Sequence, residues 1–330
     1  FLFQIGLSSH VKGLLKALKS AAFIWLINVT AAAGAGFAVS YYLLGMEWIP
    51  SVFVAIELAA TSVGVSVSPW KEMDALDKKE GQIMLDTAEL DDISSIILMA
   101  LLFSIAPLLH TGTAKGNLAG ILMQEGGWLI LKLILFTGAC ILISEYVERP
   151  LTSFFQKFER YPDPIITIIA DGLIIAALAG LLGFSIAIGA FFAGLVYSRD
   201  KKVVMGDSSF QSVYDLFTPF FFIMIGFHLA PDSLISGMSL GIFLLLAALI
   251  GKLAGVSLPA LSVTSAGGAL LLGVSMVPRA EVAMIVMQKG LNMGSWAVPQ
   301  NLYSGMVLVT AVTCIFSPIL VKWMIGKEYK

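Results

Sequence analysis

The sequence predicts an all-α membrane protein that crosses the bilayer many times. Of its 330 residues, 58% are hydrophobic and only 13% are charged, which is far more apolar than a soluble globular domain. The apolar residues occur in runs of roughly 17 to 25, and a run of that length crosses a hydrocarbon core of about 30 Å as a helix. Because backbone polar groups must be satisfied inside the membrane, this pattern indicates a helical bundle.

We predict about eleven spanning helices, of which the first is incomplete because the chain opens on "FLFQIGLSS". The predicted spans are 1–9, 20–45, 50–70, 82–110, 122–147, 164–182, 184–199, 211–230, 238–260, 265–290 and 297–326. The basic residues support this count, because alternate connections contain 15 of the 20 lysines and arginines and the opposite connections contain only Lys115. The basic connections are therefore assigned to the cytoplasmic side.

Composition also excludes several classes of site. The net charge of -2 provides no basic surface for nucleic acid. His10, His110 and His228 are scattered without the spacing of metal ligands, and Cys140 and Cys314 lie inside apolar runs. We therefore expect no cofactor and no disulfide framework.

Four polar residues fall at a similar depth in four predicted spans. At 1.5 Å per residue, Thr61 and Asp92 lie about 16 Å, Lys252 about 14 Å and Arg279 about 21 Å from an end of their helices. An ionisable residue at the centre of a span costs roughly 2.5 to 3.5 kcal/mol on insertion scales. A structural ion pair would explain one such residue, but several at the midplane indicate a functional site.

Two of these spans contain residues that interrupt a helix. "ELAATSVGVSVSPW" places Thr61 and Ser62 in the middle of 50–70, and "GVSMVPRAEVAMIV" places Pro278 in the middle of 265–290. Two interrupted helices, one in each half of a chain, are typical of a transport site between inverted repeats. Ordinary kinks would give the same pattern.

Asp91 and Asp92 are adjacent, so their side chains leave the helix about 100° apart and face different partners. One can pair with Lys252 while the other faces an aqueous cavity. Two close carboxylates titrate as a coupled pair, and one can hold a proton near neutral pH. Oxygen ligands such as Asp92, Thr61, Ser62 and unwound carbonyls also suit a hard cation. Competition between a proton and a cation for one carboxylate is the chemistry of antiport.

Several segments resemble those of bacterial Na+/H+ antiporters of the monovalent cation:proton antiporter superfamily. In "ATSVGVSVSPWKEMDALDKKEGQIMLDTAELDD", a "TS" pair is followed, after a short connection, by the Asp-Asp pair. "GFSIAIGAFFAGLVYS", "FTPFFFIMIGFHL", "LIGKLAGVS" and "VPRAEVAMIVMQKGL" resemble further blocks in the same order, so the resemblance covers essentially the whole chain. It implies a NapA-like protein with the NhaA fold, inverted repeats, crossing helices at 50–70 and 265–290, and about 13 helices in the family.

The resemblance also implies roles for individual residues. Asp92 matches the main site for Na+ and protons, with Asp91, Thr61 and Ser62 beside it, and Lys252 matches the intramembrane lysine that pairs with Asp91.

Other acidic and basic residues near the two crossing helices have weaker assignments. Arg279 and Glu281 match a supporting Pro-Arg-x-Glu segment of the second crossing helix, although Ala280 replaces the usual glycine. Glu57 and Glu89 lie outside the family pattern and are assigned to an ion pathway as a hypothesis. A buried protonated acid is an equal alternative for Glu57.

For the whole chain, the resemblance implies electrogenic exchange of Na+ or Li+ for protons by elevator-like alternating access, serving pH homeostasis in a bacterial inner membrane. It implies a transporter that is not an enzyme, embedded as a homodimer in the lipid bilayer. The expected domains are an ion-binding core (20–112 and 238–326), a panel for dimerisation (1–19 and 164–230) and a linker helix (122–147). The family has two more helices before the first residue, and we expect them to belong to the panel.

Three other functions are compatible with midplane acids in a helical membrane protein. A K+/H+ antiporter would have the same fold, but that branch tends to have Gln-Asp at the acidic pair, and Asp91 argues against it. An intramembrane aspartyl protease also uses two midplane aspartates, and Tyr214, Asp215 and the "PAL" at 259–261 resemble its motifs. The Gly-x-Gly-Asp element of those proteases is missing. A channel is disfavoured because acids and lysine neutralise each other at one depth.

Overall fold

The computed structural model is predominantly helical in the residues that it describes. Those residues are 2–8, 11–111, 164–182, 186–200, 208–229 and 231–329, with Phe184 and short stretches between 127 and 146. Within them, five helical stretches are long and apolar enough to cross a membrane: Ala17–Leu43, Trp48–Glu72, Lys79–His110, Ile235–Ala260 and Gln300–Glu328. The predicted class, an all-α polytopic membrane protein, is confirmed.

The described helices follow the predicted order. They are α1 (Leu2–Ser8), α2 (Val11–Ala38), α3 (Trp48–Ala59), α4 (Val63–Glu72), α5 (Lys79–His110), α6 (Pro164–Leu181), α7 (Ile186–Val196), α8 (Ser208–Phe227), α9 (Pro231–Lys252), α10 (Ala266–Ser275), α11 (Glu281–Met293) and α12 (Gln300–Glu328). Two of them continue into π-helical turns, α2 into Val39–Leu43 and α9 into Leu253–Ser257. The predicted span 122–147 lies largely outside the described residues.

Both predicted interruptions are present. The span predicted at 50–70 is divided into α3 and α4, and the span predicted at 265–290 is divided into α10 and α11. The ends of other helices extend beyond the apolar runs. For example, α2 begins at Val11 and α9 begins at Pro231, a residue that suits the first helical position because it has no N–H to satisfy.

The chain forms two compact units. The first unit comprises Phe1–Gly13 and Ala100–Ile223, and the second comprises Leu14–Met99 and Met224–Lys330. Both interrupted helices belong to the second unit. The division into core, panel and linker stays a prediction.

In the first unit, glycines allow α1 and α7 to touch backbone to backbone. A Cβ atom on Gly6 would lie 1.9 Å from the carbonyl oxygen of Phe191, and one on Gly194 would lie 1.9 Å from that of Phe3. Small residues at such contacts are how helices associate in lipid, where apolar burial alone gives little driving force.

In the second unit, a similar contact joins α2 to the end of α9. A Cβ atom on Gly251 would lie 3.0 Å from Cα of Ala32, and one on Gly255 would lie 3.0 Å from Cα of Asn28. Any side chain on these glycines would push the two helices apart. The close approach places the middle of α2 beside Lys252, the last residue of α9.

A tryptophan connects the two interrupted helices. Trp70 of α4 is fully buried, and its Nε1 donates a hydrogen bond of 3.0 Å to Oγ of Ser275, the last residue of α10. It belongs to a hydrophobic cluster that includes Met84, Leu271 and Met276. The second half of the first crossing helix, α4, is therefore packed against the first half of the second crossing helix, α10.

Candidate ion-binding site

The break in the first crossing helix spans Ala60 to Ser62. Ala60 and Ser62 have extended backbone conformations, with ψ angles of 150° and 106°. Ser and Thr side chains compete with helical hydrogen bonds, which favours an interruption at this point. The break leaves the last carbonyl groups of α3 without partners in their own helix.

The break in the second crossing helix spans Met276 to Ala280. Pro278 has no N–H to continue the helix, and α11 begins only at Glu281. The backbone N–H of Ser62 donates a 2.8 Å hydrogen bond to the carbonyl oxygen of Pro278. The two breaks therefore lie against each other and satisfy part of each other's backbone.

Two buried cations satisfy the free carbonyl end of α3. Lys252 Nζ donates to the carbonyl oxygen of Ala59 at 2.8 Å, and Arg279 Nη1 donates to that of Ala60 at 2.5 Å. Both cationic side chains are fully buried. Positive charge at the C-terminal end of a helix is favourable because the carbonyl dipoles point towards it.

Asp91 is the fully paired member of the acidic pair. It forms a buried salt bridge with Lys252, with 2.8 Å between Nζ and Oδ2. The Thr61 hydroxyl donates to the same oxygen at 2.7 Å, and Asn28 Nδ2 donates to both carboxylate oxygens at 2.9 and 2.8 Å. Four donor contacts, one of them from the counter-ion Lys252, make Asp91 a fixed, compensated charge.

Asp92 has the opposite surroundings. Its side chain is 6% exposed, and the structure records no hydrogen bond to its carboxylate from the residues that it describes. The charges that act on it most strongly are three other carboxylates, those of Glu281, Asp91 and Glu89. A carboxylate in such a place favours the binding of a cation or a proton.

Glu281 reaches this region from the second crossing helix. It is half-buried in the first turn of α11, where the helix dipole favours a negative charge, and its Oε2 accepts a 2.7 Å hydrogen bond from the Ser62 hydroxyl. Two of the predicted ligands, Thr61 and Ser62, therefore bond to carboxylates other than that of Asp92. The single hydroxyl hydrogens of Thr61 and Ser62 are directed to Asp91 and Glu281, which leaves the lone pairs of both oxygens for a cation.

The remaining predicted residues lie around this group. Glu57, one turn before the break, is fully buried, and Glu89 is half-buried on α5, one turn before Asp92. Arg279 uses only one of its three nitrogens in a recorded hydrogen bond within the described part of the chain. The structure thus places Glu57, Thr61, Ser62, Asp91, Asp92, Lys252, Arg279 and Glu281 around one pair of helix breaks in the second unit.

Comparison with known proteins identifies the family. The profile described as "Sodium/hydrogen exchanger, transmembrane" matches residues 1–327. The chain belongs to the sodium/hydrogen exchanger family. It is 29% identical to a Na(+)/H(+) antiporter of Enterococcus hirae, over 99% of this chain and 83% of that protein. It is 30% identical to the Na(+)/H(+)-K(+) antiporter GerN of Bacillus cereus, over 88% of this chain and 72% of that protein.

The fold of this exchanger also resembles a solved structure. The sodium proton antiporter MjNhaP1 from Methanocaldococcus jannaschii superposes with a TM-score of 0.57 at 14% identity, covering 99% of this chain and 82% of the other. The predicted membership of the cation:proton antiporter superfamily, and the multi-pass membrane class, are confirmed by these matches.

Asn28 is the functional candidate that the sequence analysis missed. It is fully buried and spans both oxygens of Asp91. The signal was present as an amide in the middle of the apolar run "FIWLINVTAAAG". A polar side chain inside a membrane span is costly unless it has a partner, so its depth alone could have marked it.

Proposed function

We propose that this chain is an electrogenic antiporter that exchanges Na+ or Li+ for protons, with Asp92 as the shared binding group. The observation that carries the proposal is the contrast within one acidic pair. Asp91 is neutralised by Lys252 and held by Thr61 and Asn28, whereas Asp92 is buried among carboxylates without a recorded donor in the described residues.

The chemistry of exchange follows from that contrast. Na+ and Li+ are hard cations that prefer oxygen ligands, which Asp92, the free lone pairs of Thr61 and Ser62, and backbone carbonyls at the breaks would supply. A proton on Asp92 removes the negative charge that attracts the cation. The two substrates therefore exclude each other at one carboxylate, and binding of one releases the other.

Alternating access would couple this competition to movement. A bare carboxylate is costly to carry through the apolar barrier, so the ion-binding core moves only when Asp92 holds a cation or a proton. We propose an elevator-like motion of the predicted core against the predicted panel. If two protons exchange for one Na+, the net charge is worth about 2.3 kcal/mol per 100 mV.

The assembly and location of the proposed antiporter are inferred from the resemblance to bacterial Na+/H+ antiporters. We propose a homodimer in the inner membrane of a bacterium, acting in pH homeostasis as a transporter without enzymatic activity or a bound cofactor. Na+ or Li+ and protons are its substrates, and the lipid bilayer is its surrounding partner.

The decisive experiment replaces Asp92 in purified protein reconstituted into liposomes. Asp92→Asn keeps the size of the side chain but removes the proton and cation site, so we expect proton movement driven by a Na+ gradient to fall to the level of empty liposomes. Asp86→Asn is the matched control on the same helix, because Asp86 accepts a hydrogen bond from Ser20 and lies one and a half turns from the site. Exchange by Asp92→Asn at the wild-type rate would disprove the assignment.

The second candidate is K+/H+ antiport on the same fold. It is favoured by the relative GerN, whose name includes K+. It is opposed by Asp91, because the K+/H+ branch tends to have Gln-Asp at the acidic pair. Proton flux driven by Na+, Li+ and K+ gradients of equal size, measured in the same liposomes, distinguishes the two candidate functions. Proton flux that responds to K+ and not to Na+ would select this candidate.

A further inference from the structure

Glu57 is a buried acid that the proposed exchange does not yet use. Its side chain is fully buried on α3, one turn before the break, and neither carboxylate oxygen has a hydrogen-bond partner among the residues that the structure describes. An ionised carboxylate buried without donors is far more costly than a neutral acid in the same place. The arrangement is therefore that of a protonated carboxylic acid.

Arg279 has hydrogen-bond donors that could pair with the carboxylate of Glu57. Its Nη1 is bonded to the carbonyl oxygen of Ala60, but its Nε and Nη2 have no partner in the described part of the chain. Those two nitrogens form one edge of the guanidinium group, and that edge matches the two oxygens of a carboxylate in a bidentate pair. Two free donors and two free acceptors lie in the same buried core.

The two groups act on each other electrostatically without being in contact. Arg279 and Lys252 are the charged groups that act on Glu57, and Glu57 is the first of the charges that act on Arg279. Lys252 is already paired with Asp91 at 2.8 Å, so Arg279 is the cation that is available to Glu57. Their nitrogen and oxygen atoms are farther apart than in the two salt bridges recorded for described residues.

We propose that Glu57 carries the second proton of the exchange. This rests on the proposed function in its two-proton form, in which two protons exchange for one cation and Asp92 holds one of them. Asp91 is held by its four donor contacts, whereas Glu57 is a fully buried acid whose two oxygens have no partner among the described residues. On release, the O–H bond of Glu57 breaks, the proton passes to water, and the carboxylate keeps the electron pair and accepts hydrogen bonds from Nε and Nη2 of Arg279.

The test compares charge movement with proton movement in the same proteoliposomes. Glu57→Gln cannot release a proton, so the current per unit of proton flux should fall to background while Na+-driven proton flux continues. Glu57→Asp restores the acid on a shorter side chain and should recover part of the current. Glu47→Gln, the same change at the exposed start of α3, should keep the wild-type ratio. An unchanged ratio in Glu57→Gln overturns the proposal.

An infrared measurement tests the protonated acid without a Glu57 variant. Asp92→Asn protein at a pH where exposed carboxylates are ionised should still show the absorption band of a protonated carboxylic acid. Absence of that band would overturn the proposal even if Glu57→Gln failed to fold. If the wild-type protein shows no Na+-driven proton flux, the proposed antiport is wrong. If it shows that flux but the Asp92→Asn protein lacks the band, only the proposal for Glu57 is wrong.

Discussion

Asp91 and Asp92 have opposite surroundings because adjacent side chains leave a helix in different directions. Asp91 faces α2, the end of α9 and the first helix break, where donors surround it. Asp92 faces the region of Glu281 and Glu89. The roughly 100° between successive residues of a helix is enough to give two adjacent acids different partners.

Removing only Lys252 from the buried Lys252–Asp91 pair should lower the stability of the fold more than neutralising both residues. Lys252→Met leaves the Asp91 carboxylate buried without its counter-ion, so we expect the free energy of unfolding in detergent to fall by about 3 to 5 kcal/mol. Adding Asp91→Asn should recover most of that loss, because the amide is neutral and still accepts a hydrogen bond from Thr61. Denaturant unfolding of the two variants is the measurement, and a double variant no more stable than Lys252→Met would contradict the pairing.

At the scale of elements, the site depends on two helices that stop and restart at the same level. The carbonyl end of α3 is satisfied by Lys252 and Arg279, and Ser62 N–H bonds to the carbonyl of Pro278. Interrupted helices thus expose backbone groups that ordinary helices use internally, and these become partners for charges.

The contact between α2 and the end of α9 gives a test at this scale. Gly255→Leu would introduce a side chain whose Cβ lies 3.0 Å from Cα of Asn28, so we expect the helices to separate, the Asn28 contact with Asp91 to weaken, and unfolding to occur about 1 to 3 kcal/mol more easily. Gly34→Leu is the matched control on α2, because a Cβ there meets no atom within 4 Å among the residues described. Equal melting temperatures of the two variants in detergent would refute the packing argument.

The sequence was informative about where the helices break and less so about which side chains meet. Thr61, Ser62 and Pro278 mark the breaks because their effect on the backbone is local and acts in any environment. The partners of Asn28, Glu57 and Arg279 depend on how α2, α3 and the second break pack together, and no local pattern encodes that. The resemblance to known antiporters supplied the Lys252 partner of Asp91 in advance, and Asn28 lay outside the motifs considered.

At the scale of the whole molecule, the proposed electrogenic exchange depends on the balance of buried charges. The acids Glu57, Asp91 and Asp92 share one core with the bases Lys252 and Arg279, so the charge of that core depends on which acids hold protons or a cation. A core that moves with a different charge in each direction performs electrical work.

Membrane voltage should therefore drive the exchange. If two protons enter for each Na+ that leaves, an inside-negative potential of 100 mV adds about 2.3 kcal/mol to the driving force. We expect Na+ efflux from liposomes to accelerate when a K+ diffusion potential makes the interior negative and to slow when the potential is reversed. Equal rates at both polarities would indicate electroneutral exchange. Lys252 variants should alter this voltage response more than they alter cation affinity.

The π-helical turn at Leu253–Ser257 directly follows Lys252. Such a turn arises when one extra residue is accommodated within an α-helix, so the segment carries one residue more than a regular helix of the same length would need. Deleting one residue there would remove the π-helical turn and restore regular α-helical geometry after Lys252. In evolutionary terms, the segment is constrained in its residue count and, at Gly255, in its composition, because a side chain there would meet α2.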